Sequence, residues 1–147
     1  MLYIGIDLSD KFFDSCITNT NGDVLDRNRF DFHHDGFCSL TNLIQKLCQE
    51  HKTDHQECIL GLENPRSSLV DFLTQRGYTV VLTQPNAICN YRKSRTSSGA
   101  KSDQADAQLI ADYVREHHRN LRSIGIPDEQ IRELSLLLED KIGRAHV

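Results

Sequence analysis

A mixed α/β fold is predicted by three features of the chain. Short apolar runs at the N-terminus are broken by turn residues, the apolar spacing switches from two to helical after residue 36, and strand-like runs then alternate with helix-like ones. Residues 2–7 (Leu-Tyr-Ile-Gly-Ile-Asp) form an apolar run ending in an acid, and residues 12–18 and 24–32 follow as two further strands. The Asn21-Gly22 dipeptide between the last two tolerates positive φ, which predicts a hairpin and antiparallel neighbours.

Over residues 37–50 the positions Phe37, Leu40, Leu43, Ile44, Leu47 and Cys48 make one helical stripe. Residues 58–62 are read as a buried strand ending at Glu63, 67–76 as a helix stopped by Gly77, and 78–82 as the next strand. Pro85 ends any continuation of that strand, and a polar stretch is expected to run on to a helix opening at Asp103. A last amphipathic helix is expected over 127–140, with Ile131, Leu134, Leu137 and Leu138 inward. Three antiparallel strands followed by alternating strands and helices is the element order of the ribonuclease H-like (RuvC-like) fold. That fold is a mixed five-stranded sheet flanked by helices, its fourth strand parallel beside its first. Ligands of open α/β sheets collect at strand ends, where Asp7 and Glu63 fall.

At 147 residues, with 38% hydrophobic and 26% charged residues, the chain has the size and composition of one soluble domain. It has no apolar stretch long enough to span a bilayer and no leader-like N-terminus, so a cytoplasmic protein with no membrane partner is expected. The five scattered cysteines show no zinc-site spacing and are expected to be buried reduced thiols. The doublets His33-His34 and His117-His118 are poor chelates and are expected to be solvated. A formal charge of −4 argues against coating nucleic acid by overall charge, although a local basic patch could still bind it.

Asp103 and Asp106 share a helical face with Leu109, Ile110, Tyr113 and Val114, a face that should turn toward the core. Ionised carboxylates placed there are costly unless something positive lies between them. Together with Asp7 and Glu63 they form a candidate cluster of four acids, and all-oxygen ligation suits Mg²⁺ or Mn²⁺. Two such ions could bridge a scissile phosphate, which points to phosphodiester chemistry. Taken singly the acids have plainer readings: Ser102 or Asp103 as a helix cap, Asp106 as a first-turn acid, Asp7 and Glu63 as polar strand ends. Asp10, Asp14, Asp23, Asp26 and Asp31 are expected only to solvate a face. Residues 91–101 carry Arg92, Lys93, Arg95 and Lys101 with no acid, a composition that suits a flexible loop contacting a nucleic-acid backbone, or simply a solvated loop.

Ile4-Gly5-Ile6-Asp7-Leu8-Ser9, Gly61-Leu62-Glu63 and, most specifically, Lys101-Ser102-Asp103-Gln104-Ala105-Asp106-Ala107 resemble the N-terminal domain of the bridge-RNA-guided insertion-sequence transposases, the DEDD family that includes the pilin-gene invertases. The resemblance covers about residues 2–118. It implies a RuvC-like fold in which Asp7, Glu63, Asp103 and Asp106 are the catalytic, Mg²⁺-binding tetrad. It also implies DNA and a guide RNA as partners, and an oligomer formed by a longer protein whose second domain carries a serine nucleophile. Where the family has a Thr-Gly-aromatic segment after the glutamate, this chain has Asn64-Pro65-Arg66. Residues 119–141 would begin a helical linker. Residues 142–147 can be encoded by a common sequencing-adapter read and are expected to be a non-native tail. The leading expectation is an N-terminal transposase or recombinase fragment that is inactive alone. The alternatives are a free-standing RuvC-like nuclease for branched DNA, an actin-like nucleotide-binding module, since Ile4 to Ser9 also resembles that superfamily's first phosphate loop, and a module that only binds.

Overall fold

The computed structural model describes residues 1–63, 67–95 and 103–124, with the backbone alone at 95, 103–105 and 124. Its strands are β1 (Leu2–Leu8), β2 (Phe12–Thr18), β3 (Val24–Asp31), β4 (Cys58–Leu62), β5 (Thr79–Leu82) and β6 (Ser123–Ile124). Its helices are α1 (His34–Glu50), α2 (Ser68–Gln75), α3 (Pro85–Arg95) and α4 (Asp103–His117). The sheet order is β3-β2-β1-β4-β5-β6. β1, β2 and β3 pair antiparallel, β4 lies parallel to β1 with Gly61 level with Gly5, and β5 lies parallel to β4. This is the ribonuclease H-like arrangement, with a two-residue strand, β6, added antiparallel to β5.

The first hairpin turns where the sequence places it. Gly22 has φ 90°, and the Asn19 side-chain oxygen accepts from the backbone N–H groups of Asn21 and Asp23 at 3.0 and 2.9 Å. α2 starts with Ser67 accepting from the Val70 N–H at 3.2 Å and is followed by Gly77 at φ 84°. Strand alternation divides the core between the two faces of the sheet. Leu2, Ile4, Ile6, Phe13, Ile17, Leu60 and Leu62 pack under α1 and α2, while Tyr3, Ile59 and Val81 pack under Ile88 of α3 and Ile110 and Val114 of α4. β3 is one edge of the sheet, with Arg27, Asn28 and Arg29 exposed in succession, and the β2–β3 register shifts between Ile17 and Thr18. No helix among the described residues is long and apolar enough to cross a membrane.

Several expectations need correction. The stretch after β5 is helical from Pro85 to Arg95, so Arg92, Lys93 and Arg95 lie on a helix and not on the expected loop, whose residues 96–101 lie outside the described residues. β5 ends at Leu82, short of Pro85 as expected, and Pro85 starts the helix, since the first helical position needs no N–H and the Gln84 carbonyl accepts from Ile88 N–H at 3.0 Å. The doublet His117-His118 is half-buried: His117 stacks on Tyr113 with ring centroids 4.4 Å apart, and His118 lies 5.4 Å from the Tyr3 ring. All five cysteines are thiols, but only Cys16 and Cys58 are buried, and Cys89 is exposed. The helix expected over 127–140 and the tail over 142–147 lie outside the described residues. The sheet takes in Ser123–Ile124, within the stretch read as the start of a linker.

Candidate active site

Two glycines set the distance between sheet and helix. A Cβ on Gly5 would stand 2.0 Å from the Ala107 carbonyl oxygen and 2.4 Å from the Ala111 nitrogen. One on Gly61 would stand 2.2 Å from a Val114 methyl. The backbone of α4 therefore lies directly on β1, with Ala107 and Ala111 packed against Cys16 of β2. α4 passes from Ala107 above Gly5 to His118, beyond its end, against Tyr3, and so runs back along β1 from the Asp7 end. Its first turn consequently sits over the C-terminal ends of β1 and β4.

Those ends carry the expected acids. Asp7 is two residues beyond Gly5 on the same face of β1, and continuing the parallel register brings Glu63, just past β4, level with it. Asp106 stands next to Ala107 at the margin of the buried stripe. Its side chain is 30% exposed, so it faces the site obliquely and not the core, which is filled by Ala107, Ile110, Ala111 and Val114. Asp103 is the first residue of α4, and its side chain lies outside the described residues. Among the described residues no three His, Cys, Asp or Glu side chains converge closely enough to hold an ion.

Arg92 reaches across from α3. Its guanidinium forms an ion pair with the Asp106 carboxylate. It also lies near enough to Glu63 to pull that carboxyl's pKa down, against the larger effect of burial, which raises it above the usual carboxylate value. Glu63 is nonetheless open to solvent on one side. α3 is held further by Tyr91, whose hydroxyl donates to Glu116 and whose ring meets Tyr113 edge-on at 5.3 Å. Lys93 is exposed on the same helix, while Lys101 and the Arg95 side chain lie outside the described residues. The structure thus gathers Asp7, Glu63, Arg92 and Asp106 at one end of the sheet.

Asp14 corrects the expectation that it would only solvate a face. It is the register partner of Asp7 across the β1–β2 hairpin, its side chain is 2% exposed, and it is held by Arg29 of β3. Hairpin register was the available signal, because directly opposed residues share a face. Asp112, another buried acid, sits on α4 with Arg115 at 3.5 Å.

A family model described as transposase, of the DEDD type found in IS110 insertion sequences, matches residues 4–144. A Sinorhizobium fredii protein, y4uE, named a candidate transposase, is 24% identical over 141 residues. The match covers 94% of this chain and 39% of that protein, so the chain spans about two fifths of its relative's length.

Proposed function

The chain belongs to the DEDD transposase family of the IS110 type, and on that premise we propose that it is the metal-binding domain with which a longer transposase or recombinase acts on DNA phosphodiesters. One observation carries this reading. The backbone-to-backbone seat of α4 on Gly5 puts the backbone of the helix's first turn over the strand ends that hold Asp7 and Glu63. In this reading Asp7, Glu63, Asp103 and Asp106 are the catalytic and metal-binding set. Carboxylate oxygens alone are donors for hard cations such as Mg²⁺ or Mn²⁺. The Arg92 guanidinium, paired with Asp106 and close enough to lower the Glu63 pKa, supports this reading as a positive charge already beside these acids. A pair of divalent cations held there would supply activation of an attacking oxygen and stabilisation of a leaving oxygen on the phosphodiester.

The chain's own residues do the rest. The tetrad fixes where a cation and a phosphate can meet, and the seat on Gly5 keeps that position rigid. Arg92, Lys93 and Arg95 of α3, together with Lys101, hold the nucleic-acid backbone over it. A guide RNA as second partner, assembly of the longer protein into an oligomer, a serine nucleophile in a further domain and work in the cytoplasm belong to the same proposal. By itself this domain is expected to bind metal and nucleic acid without exchanging strands.

The test is a calorimetric titration of Mn²⁺ and Mg²⁺ into the protein. Saturable binding is expected, and the absence of binding by either ion would overturn the reading. Arg92→Gln removes a positive charge that competes with an incoming cation, so Mn²⁺ should bind about tenfold more tightly to it, the equivalent of one pKa unit of electrostatic relief. The same titration checks this, and an unchanged or weaker affinity would show that Arg92 does not oppose the ion.

A further inference from the structure

At the end of β4 away from Glu63, two thiols meet. Cys58 opens β4 and is fully buried, Cys48 lies half-buried near the end of α1, and their Sγ atoms stand 3.3 Å apart as free thiols. The backbone between them holds them there. His51 N–H donates to the Leu47 carbonyl and Thr53 N–H to the Cys48 carbonyl, both at 2.9 Å, and Lys52 takes the left-handed conformation at φ 52°, which ends α1 and turns the chain back. The Glu57 carboxylate then accepts from the Asp54 N–H at 3.0 Å, closing a single turn, His55–Glu57, that leads straight into Cys58. The Tyr78 phenol lies beside both sulfurs: burial, with the two thiols adding to it, pushes its pKa up to about 12. The His55 ring rests on Tyr78 with centroids 4.0 Å apart.

Closing the gap from 3.3 Å to the sulfur–sulfur bonding distance of about 2.05 Å takes a movement of roughly 1 Å. Held in contact, the second thiol acts at a far higher effective concentration than a free one would. The two thiols differ in reach: Cys48 is open on one side to a small oxidant, whereas Cys58 has no exposed surface. Burial pushes the Cys58 pKa far above the ordinary thiol value, and its contact with Cys48 adds to the rise. Cys58 therefore stays a thiol and does not react first. Nothing stabilises a thiolate at Cys58 either, so the reduced pair gains none of the electrostatic stabilisation that makes a disulfide easily reduced.

We propose that Cys48 and Cys58 are a reversible dithiol–disulfide couple, a modification site that hydrogen peroxide oxidises and whose disulfide braces the end of α1 to the start of β4. In the first step the Cys48 sulfur attacks the peroxide. An S–O bond forms as the O–O bond breaks, the sulfur gives up two electrons, and the thiol proton leaves with the other oxygen as water. In the second step the Cys58 sulfur displaces the sulfenic oxygen from Cys48, the S–S bond forms, and the Cys58 proton leaves with that oxygen as a second water. A low-molecular-weight thiol restores the pair by exchange. The couple lies outside the acidic site and does not depend on how that site is read.

The experiment treats the folded protein with a slight excess of hydrogen peroxide, blocks the remaining thiols with N-ethylmaleimide, and maps by mass a tryptic digest made without reductant. Trypsin cuts at Lys52, between the two cysteines, so the bridge is read as peptide 47–52 joined to peptide 53–66, and a reductant separates them. The joined peptides should form about tenfold faster in the folded protein than in the chain unfolded by urea, because only the fold holds the thiols in contact. The oxidised protein should also unfold at a urea concentration about 1–2 M higher, since the bridge ties residues ten apart in the chain and removes that freedom from the unfolded state. Cys48→Ser, a change at the half-buried partner, should give neither the joined peptides nor the shift. Recovery of both cysteines as blocked thiols overturns the proposal, as does joining at the same rate in the unfolded chain. Oxidation of Cys48 beyond the sulfenic acid with Cys58 left free, bridges from either residue to Cys16, Cys38 or Cys89 in place of this one, or joined peptides with an unmoved midpoint overturn it equally.

Discussion

Gly5→Ala is expected to destabilise the fold by about 3 kcal/mol, the upper part of the usual range for overpacking. The reason lies in what the added methyl would meet. Its nearest neighbours are the Ala107 carbonyl oxygen at 2.0 Å and the Ala111 nitrogen at 2.4 Å, both backbone atoms of α4. A side chain can rotate aside, but a helix backbone can relieve the clash only by moving as a body. Moving α4 would open the Tyr3, Ile59, Ile110 and Val114 layer and lift the helix's first turn away from the ends of β1 and β4. Gly61→Ala meets a Val114 methyl instead, which can repack, so its effect should be smaller, about 1 kcal/mol. Denaturant unfolding of the two variants decides this, and equal effects would mean that α4 does not rest on β1 in solution.

The double variant Asp103→Ala/Asp106→Ala is expected to lose the stabilisation that divalent cations give the wild type. A ligand at a hundred times its dissociation constant stabilises the folded state by about 2.7 kcal/mol. The wild type should therefore gain about that much at saturating Mn²⁺, and the double variant essentially nothing. With a chelator present the two should differ little. Removing Asp103 forfeits an acid near a helix N-terminus, and removing Asp106 breaks its pair with Arg92, but this margin is partly open to water. Unfolding curves with and without Mn²⁺ measure both differences. Equal metal stabilisation of wild type and variant would return the two aspartates to helix capping and leave the site to be sought elsewhere.

The strands and the outer helices were legible because their signals are local. Alternating apolar residues, Asn21-Gly22 and the change of period at residue 37 each act within a few residues, and the structure places β1 to β5, α1 and α2 close to the expected positions. α3 was not legible. Its composition is polar, and its helical state rests on contacts from elsewhere: Ile88 in the layer under α4, Tyr91 against Tyr113 and Glu116, and Arg92 on Asp106. β6 was missed for a similar reason, since two residues gain a strand conformation only from pairing with β5. Within the candidate site, the positions of Asp7, Glu63 and Asp106 were legible because each lies near a strand end or in the first turn of a helix. Asp14 could not be found from strand alternation alone. An acid in mid-strand reads as solvated until the hairpin register shows that it faces Asp7 under a covering helix.

β3 carries a consequence for how this molecule meets others. An outer strand offers a row of backbone donors and acceptors onto which a foreign strand could add. Here that row is flanked by Asp26, Arg27, Asn28 and Arg29, and the strand is bent out of regular register opposite Ile17 and Thr18. Charges and an irregular register both discourage extension of a sheet. Edge-to-edge pairing of two copies along β3 is thereby disfavoured.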